Sequence, residues 1–322
     1  MNVENLPPRL IDLCSPLAAP TATVDARQTR GRAKGLGTMQ IEFLGTAGAI
    51  TTPRPGCECR VCVQAREKGI PYARGGPSLF VHGPDVMIDT PEEIKDELNR
   101  SRVTRVSSCI YSHWHPDHVM GRRVFESLNQ DWRRWPPEKD LTDVYLPQKV
   151  AEDFRTRLGS WDHLAFMEHQ GIVRLVVLRD GDAIELNGTR ITPFRLAEDY
   201  VYAFLFEGDD KRVLVAPDEL FRWEPPEWVT GLDLAVLPMG VVEHDPFTGE
   251  RRIPAEHPVL KMEATFAQTL EIVERLRAER VILTHIEEMD GLSFDDLQRL
   301  ERRLKTSGVA VEFAFDTMFV KV

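Results

Sequence analysis

The sequence contains no run of about 18 apolar residues, so nothing in it is built to cross a membrane as a helix. Its opening residues also lack the apolar stretch of a secretory signal. Cationic side chains are in deficit, with 40 Lys and Arg against 51 Asp and Glu and a formal net charge of −11. A long phosphate backbone is therefore a poor main ligand, and nucleic acid is disfavoured as a partner. Cysteine is scarce, at five in 322 residues. An odd number without an export signal argues against a disulfide framework. A cytoplasmic location is the default expectation.

Hydrophobic residues make up 42% and charged residues 28%, the balance of a soluble globular chain able to bury a sizeable core. Residues 1–38 are rich in Pro, Ala, Thr and Arg without sustained periodicity, which predicts a flexible N-terminal extension. Residues 39–322 are expected to form the folded domain. A homodimer is the default assembly.

Regular structure starts at MQIEFLGTAGA, an alternating apolar run ending in small residues, which predicts a strand entering a tight loop. PSLFVHG and DVMIDT follow as short strands across a Gly-Pro-Asp turn. Residues 92–102 are helical in pattern, and VTRVSSCIYS predicts a buried strand. AIELNGTRITPF predicts a hairpin turning on Asn-Gly, and YVYAFLFEG with RVLVAP a second one. DLAVLP and RVILTH are core strands, and ATFAQTLEIVERLRAE is an amphipathic helix. Residues 294–305 make a last helix, after which VAVEFAFD and MFVKV are expected to close one sheet edge. Strands followed by helices in each half suggest two sheets sandwiched between helices.

Against this background, YSHWHPDHVMG over residues 111–121 places three histidines and an aspartate within six positions. Burying His113, His115, Asp117 and His118 together would be costly without a shared partner. In extended backbone, residues two apart point the same way, so His113 and His115 can face one ion. Pro116 ends that run, which leaves Asp117 and His118 to a second ion nearby. Asp218, just past VLVAP, and His285, just past RVILT, are the strand-end residues available as further ligands. Separately, Cys57, Cys59 and Cys62 form a C-x-C-x-x-C cluster that reads as a metal–thiolate site.

The order H-x-H-x-D-H, then Asp218, then His285, resembles the metallo-β-lactamase superfamily over about residues 39–322; LGTAGA and MIDT are similar to it too. The cysteine loop resembles PhnP-like cyclic-phosphate phosphodiesterases and the related proteins of pyrroloquinoline quinone biosynthesis. The resemblance implies an α/β fold, an αββα sandwich of two mixed sheets flanked by helices, with a dinuclear site at one edge. It implies that His113 and His115 hold one ion, that Asp117, His118 and His285 hold the other, and that Asp218 bridges them.

The sequence departs from the pattern where the family carries another histidine, in ITPFRLAEDYVYAFLFE. Sliding the register puts Glu198 there as the expected ligand. Glu263 stands where PhnP-like sequences carry a histidine thought to touch substrate phosphate. Glu288 stands where they carry the imidazole of the cysteine site, which leaves His257, His244 or water as alternative ligands. Added carboxylates shift the expected ions from zinc towards manganese or iron and oppose an anionic substrate unless Arg74, Arg122 or Arg123 compensates. A structural zinc at the cysteine loop would be a third ion.

The implied activity is metal-dependent hydrolysis by a bridging hydroxide, with a phosphodiester or cyclic phosphate small molecule as the anionic substrate. Asp117 and Glu263 are the expected catalytic carboxyl groups. An iron-dependent redox or cofactor-biosynthesis enzyme and a degenerate binding protein are the alternatives, with an RNA-processing nuclease behind them.

Overall fold

Two seven-stranded sheets carry the architecture in the computed structural model, which describes residues 39–133 and 138–322. The extension expected over residues 1–38 lies outside the described residues. Across the first sheet the strands run Phe319–Lys321, Gln40–Gly45, Ser78–His82, Val86–Ile88, Ser108–Ile110, Thr142–Pro147 and Val173–Leu178. The first four pair antiparallel, and from Val86–Ile88 onward the neighbours are parallel. Across the second sheet they run Glu312–Phe313, Arg280–Thr284, Leu234–Pro238, Lys211–Val215, Tyr202–Gly208, Thr189–Arg195 and Ile184–Leu186. Here the first four are parallel and the rest antiparallel. Both sheets are mixed, as expected.

Continuous apolar strands are explained by burial on both faces. In Tyr202–Gly208, the side chains of Tyr202, Phe204 and Phe206 join the core shared with the first sheet, while Ala203 and Leu205 join a second cluster. Val213 and Val215 alternate with Leu214 in the same way, as do Leu234 and Val236 with Ala235 and Leu237. The second cluster is completed by Phe266, Ile272, Val273 and Leu276 of helix Phe266–Leu276 and by Leu297 and Leu300 of helix Phe294–Thr306. Ile94 and Leu98, with Phe154 and Met167, cover the first sheet from helices Ile94–Arg100, Gln148–Thr156 and Ser160–His169. The result is the αββα sandwich. Among the described residues, no helix is long and apolar enough to cross a membrane.

The two hairpins form where expected. Asn187 and Gly188 both take positive φ, 49° and 84°, as a tight two-residue turn demands. The last two strands depart from expectation, because they lie in different sheets. Ala314 N donates to Leu283 O and Thr317 N to Phe43 O, so the chain crosses from one sheet to the other between them.

Candidate metal centre

The ligand candidates all sit just past strand ends. Strand Ser108–Ile110 stops before His113, and residues 111–115 run on without regular structure until Pro116 opens the short helix Pro116–Val119. His113 and His115 therefore leave this connecting segment, and Asp117 and His118 leave the helix's first turn. Asp218 follows strand Lys211–Val215, and His285 follows Arg280–Thr284 with a left-handed φ of 53°. A histidine held there costs roughly 1–3 kcal/mol and persists only when its surroundings fix it. Asp89 and Glu219 share this trait, with φ of 62° and 27°.

Three imidazoles converge on the Asp218 carboxylate. His113 Nε2 lies 3.2 Å and His118 Nε2 3.8 Å from Oδ2, and His285 Nε2 lies 3.3 Å from Oδ1. Asp117 Oδ2 stands 3.3 Å from His118 Nε2 and 3.8 Å from His285 Nε2. The donor atoms form two groups, His113, His115 and Asp218 in one and Asp117, His118 and His285 in the other, each within 4.8 Å. The resemblance implies the same two sets apart from Glu198, and Asp218 also touches the second group.

A second layer aims these rings. His118 Nδ1 donates to Asp89 Oδ2 at 2.8 Å, and the same carboxylate accepts from Ser112 N at 2.8 Å and Ser112 Oγ at 2.6 Å. With its proton given to Asp89, Ser112 Oγ is left to accept from His113 Nδ1 at 3.0 Å. Asp89 is the Asp of MIDT, buried at 1% exposure. That strand end stands out in the sequence, but nothing in the motif pointed to a role for Asp89. The small residues of LGTAGA have a local reason as well. A Cβ on Gly48 would stand 2.2 Å from Glu287 Oε1 and 2.6 Å from His285 Nδ1, so only glycine lets the loop pass this close.

The buried Nε2 atoms of His113, His118 and His285 take no hydrogen bond among the described residues. Leaving such a group unpaired costs about 1–3 kcal/mol. Two donors bound to one ion at about 2.0–2.2 Å and a near-tetrahedral angle stand about 3.3–3.6 Å apart. The observed nitrogen–oxygen separations bracket that value, and imidazole with carboxylate is an ordinary donor set for divalent ions. The residues present fit two cations.

Charge tells the same story. Burial works to raise the Asp218 carboxyl, yet His285 and His113 hold it well below the usual carboxylate range. Burial likewise opposes, and the charge of His118 outweighs it, in holding Asp117 low. Burial pushes His285 down but the Asp218 carboxylate lifts it to about 9. His115, buried and beside His113, falls to about 4. Protons on imidazoles here balance the carboxylates, which is the office a cation would take over.

Beside His285 opens a shallow cleft lined by Asp218, Glu219, Glu263 and Glu287. Burial and then the Asp218 charge push Glu263 up to about 7 and Glu219 up to about 8. None of the three arginines considered as compensation lines this cleft. Arg74 donates to Leu292 O, Arg122 to Val119 O and Leu158 O, and Arg123 pairs with Glu126.

Glu198, the expected replacement ligand, is not in the first group. It sits in a tight turn where Val201 N donates to Glu198 O and Leu196 N to Val201 O. That turn instead brings the Tyr200 ring to 5.4 Å from His115 and 6.2 Å from His113. Tyr200 carried no motif signal and was missed.

Cys57, Cys59, Cys62 and Glu288 form a third group. The thiols donate to one oxygen, Glu288 Oε1, at 3.3, 3.1 and 3.0 Å. Glu288 is thus the fourth member of the set. The alternatives are occupied elsewhere: His257 Nδ1 accepts from Val259 N, and His244 stands 3.8 Å from Glu243.

The model of a β-lactamase superfamily domain matches residues 82–286. Among proteins of curated function, none matches the sequence. A diphosphatase from the PhnP family shares the fold at a TM-score of 0.64 and 23% identity, over 88% of this chain and 98% of that one. Zinc-bound PqqB from Methylobacterium extorquens gives 0.63 and 13%, over 88% and 100%. The short form of human tRNase Z gives 0.51 and 14%, over 88% and 99%. With the family model spanning most of the folded region, and the paired sheets and ligand order in agreement, the chain belongs to the metallo-β-lactamase superfamily.

Proposed function

We propose that the protein is a metal-dependent hydrolase of small phosphodiesters or cyclic phosphates. The observation that carries this reading is the pair of ligand groups meeting at Asp218, with an open cleft at their side. Two divalent ions held there would polarise the electrophile and bring the pKa of a water down to about 7. Phosphorus as the electrophile is extended from the diphosphatase that shares the fold.

The chain's own residues supply the rest. Asp89 fixes the tautomer of His118 and, through Ser112, that of His113, so both Nε2 atoms face inward. Asp117, between His118 and His285, orients the attacking oxygen and receives its proton. In the metal-free chain, burial and the Asp218 charge raise Glu263 to about 7 and Glu219 to about 8, so at pH 7 Glu219 is mostly protonated and Glu263 about half so. Neutral carboxyl groups donate hydrogen bonds to a phosphoryl oxygen instead of repelling it. Glu263 then protonates the leaving oxygen. A singly charged diester suits this cleft better than a doubly charged monoester.

The test joins metal analysis with hydrolysis of an activated diester such as bis(p-nitrophenyl) phosphate. His118→Ala and Asp218→Ala should lose metal and turnover together. Glu263→Gln should keep its metal while kcat falls about 10²-fold, and turnover should decline as rising pH removes the Glu263 proton. Turnover that persists without bound metal rules the mechanism out.

A further inference from the structure

The thiol cluster and the imidazole centre are joined by a very short tether, because Glu288 lies three residues beyond His285. Every residue of that tether is pinned. Ile286 N donates to Thr46 O at 2.9 Å, and the Glu287 carboxylate accepts from Ala49 N at 2.8 Å and Ile50 N at 3.0 Å. Glu288 N donates to Ile50 O at 3.4 Å, while its Oε1 takes the three thiols. The same loop passes over Gly48, packed against both His285 and Glu287. The tether begins at a residue held in strained left-handed backbone, and such a conformation needs external constraint at its far side.

The cluster is also built as a ligand set. Each sulfur is addressed by an N–H group: Cys57 by Cys59 N at 3.5 Å and Arg54 Nη2 at 3.4 Å, Cys59 by Cys62 N at 3.4 Å, and Cys62 by Arg54 N at 3.3 Å. Arg54 Nε lies 3.3 Å from Glu288 Oε2 and offsets part of the set's negative charge.

We propose that Glu288 is a positioning residue: an ion held by Cys57, Cys59, Cys62 and Glu288 fixes the His285 tether, so that filling the thiolate set tightens metal binding at the imidazole centre. The coupling is reciprocal, as any such linkage must be. It rests on the imidazole centre taking up ions at all.

The full chain, stripped of metal, is titrated with Co(II), whose thiolate complexes show a near-ultraviolet charge-transfer band that imidazole and carboxylate sites lack. The unmodified chain should show that band. Glu288→Gln and Cys59→Ser should lose it, and each should bind the remaining cobalt about tenfold more weakly. Glu288→His, which completes a common three-thiolate zinc set, should restore both. In the unmodified chain, one equivalent of Cd(II), preferred by soft thiolates, should strengthen subsequent cobalt uptake by the same factor. Absence of the band, or equal cobalt affinity with the thiolates empty and filled, overturns the coupling and leaves the hydrolase reading standing. A thiolate band without further cobalt uptake overturns the imidazole centre and the coupling together.

Discussion

Asp89 shows how one buried carboxylate can govern two metal ligands it does not resemble. It accepts from the His118 ring directly and reaches the His113 ring through Ser112. Asp89→Asn presents an amide N–H to a ring N–H on one of its faces, and we expect ion affinity to fall about 10–100-fold. Competition with a chelator measures this, and an unchanged circular dichroism spectrum shows that the fold survives. His285 gives the centre its pH dependence. Its value in the metal-free chain is lifted from 6.5 to about 9. A raised value stabilises the fold fully below the lower figure and loses that contribution as pH climbs through the higher one. An incoming cation must displace the same proton, so ion affinity should grow over this window, by about tenfold per pH unit for each proton displaced. A flat affinity profile from about pH 6 to 9 would contradict this account of the site.

At the scale of elements, caps and turns decide what sequence alone could reveal. Asn187-Gly188 announced its hairpin because few residues accept positive φ at both turn positions. The apolar stripe of ATFAQTLEIVERLRAE announced helix Phe266–Leu276, and the structure adds its capping box, in which Thr265 accepts from Gln268 N while the Gln268 side chain returns to the cap. Thr265→Ala should cost about 0.5–2 kcal/mol, read as a lower denaturation midpoint with an unchanged slope. Helix Arg60–Lys68 went unread because its cap is a thiol: Cys59 accepts from Cys62 N, where sequence rules look for Ser, Thr, Asp or Asn. Glu198 was misplaced for a related reason. Register on a strand can be counted residue by residue, but the turn at Leu196–Val201 folds back on itself and exchanges Glu198 for Tyr200 at the imidazoles. The ligands that were legible are the ones that directly follow strands or open a helix. Asp89, Arg74 and Arg122 were harder, because their partners His118, Leu292 and Leu158 are distant in sequence and are brought to them only by the fold.

For the molecule as a whole, the net charge of −11 and a carboxyl-lined cleft set a repulsive field for any anionic ester. Salt screens that field, with a Debye length near 10 Å at about 0.1 M. We therefore expect kcat/KM for an anionic diester to rise with ionic strength, while a neutral ester changes little. A fall would place an unrecognised basic surface on the approach path. One more feature acts at this scale, the crossing that sends residues 319–321 back to pair with the first strand. Just before it, the buried Asp316 accepts from Thr46 Oγ1 and Gly75 N, bracing the loop that runs on to Gly48. Ribosomal synthesis thus delivers this brace after all of the liganding side chains. A nascent chain halted short of Asp316 has every liganding side chain already made yet lacks the clasp that braces the loop beside them, so we expect such a truncated chain to gather cations poorly.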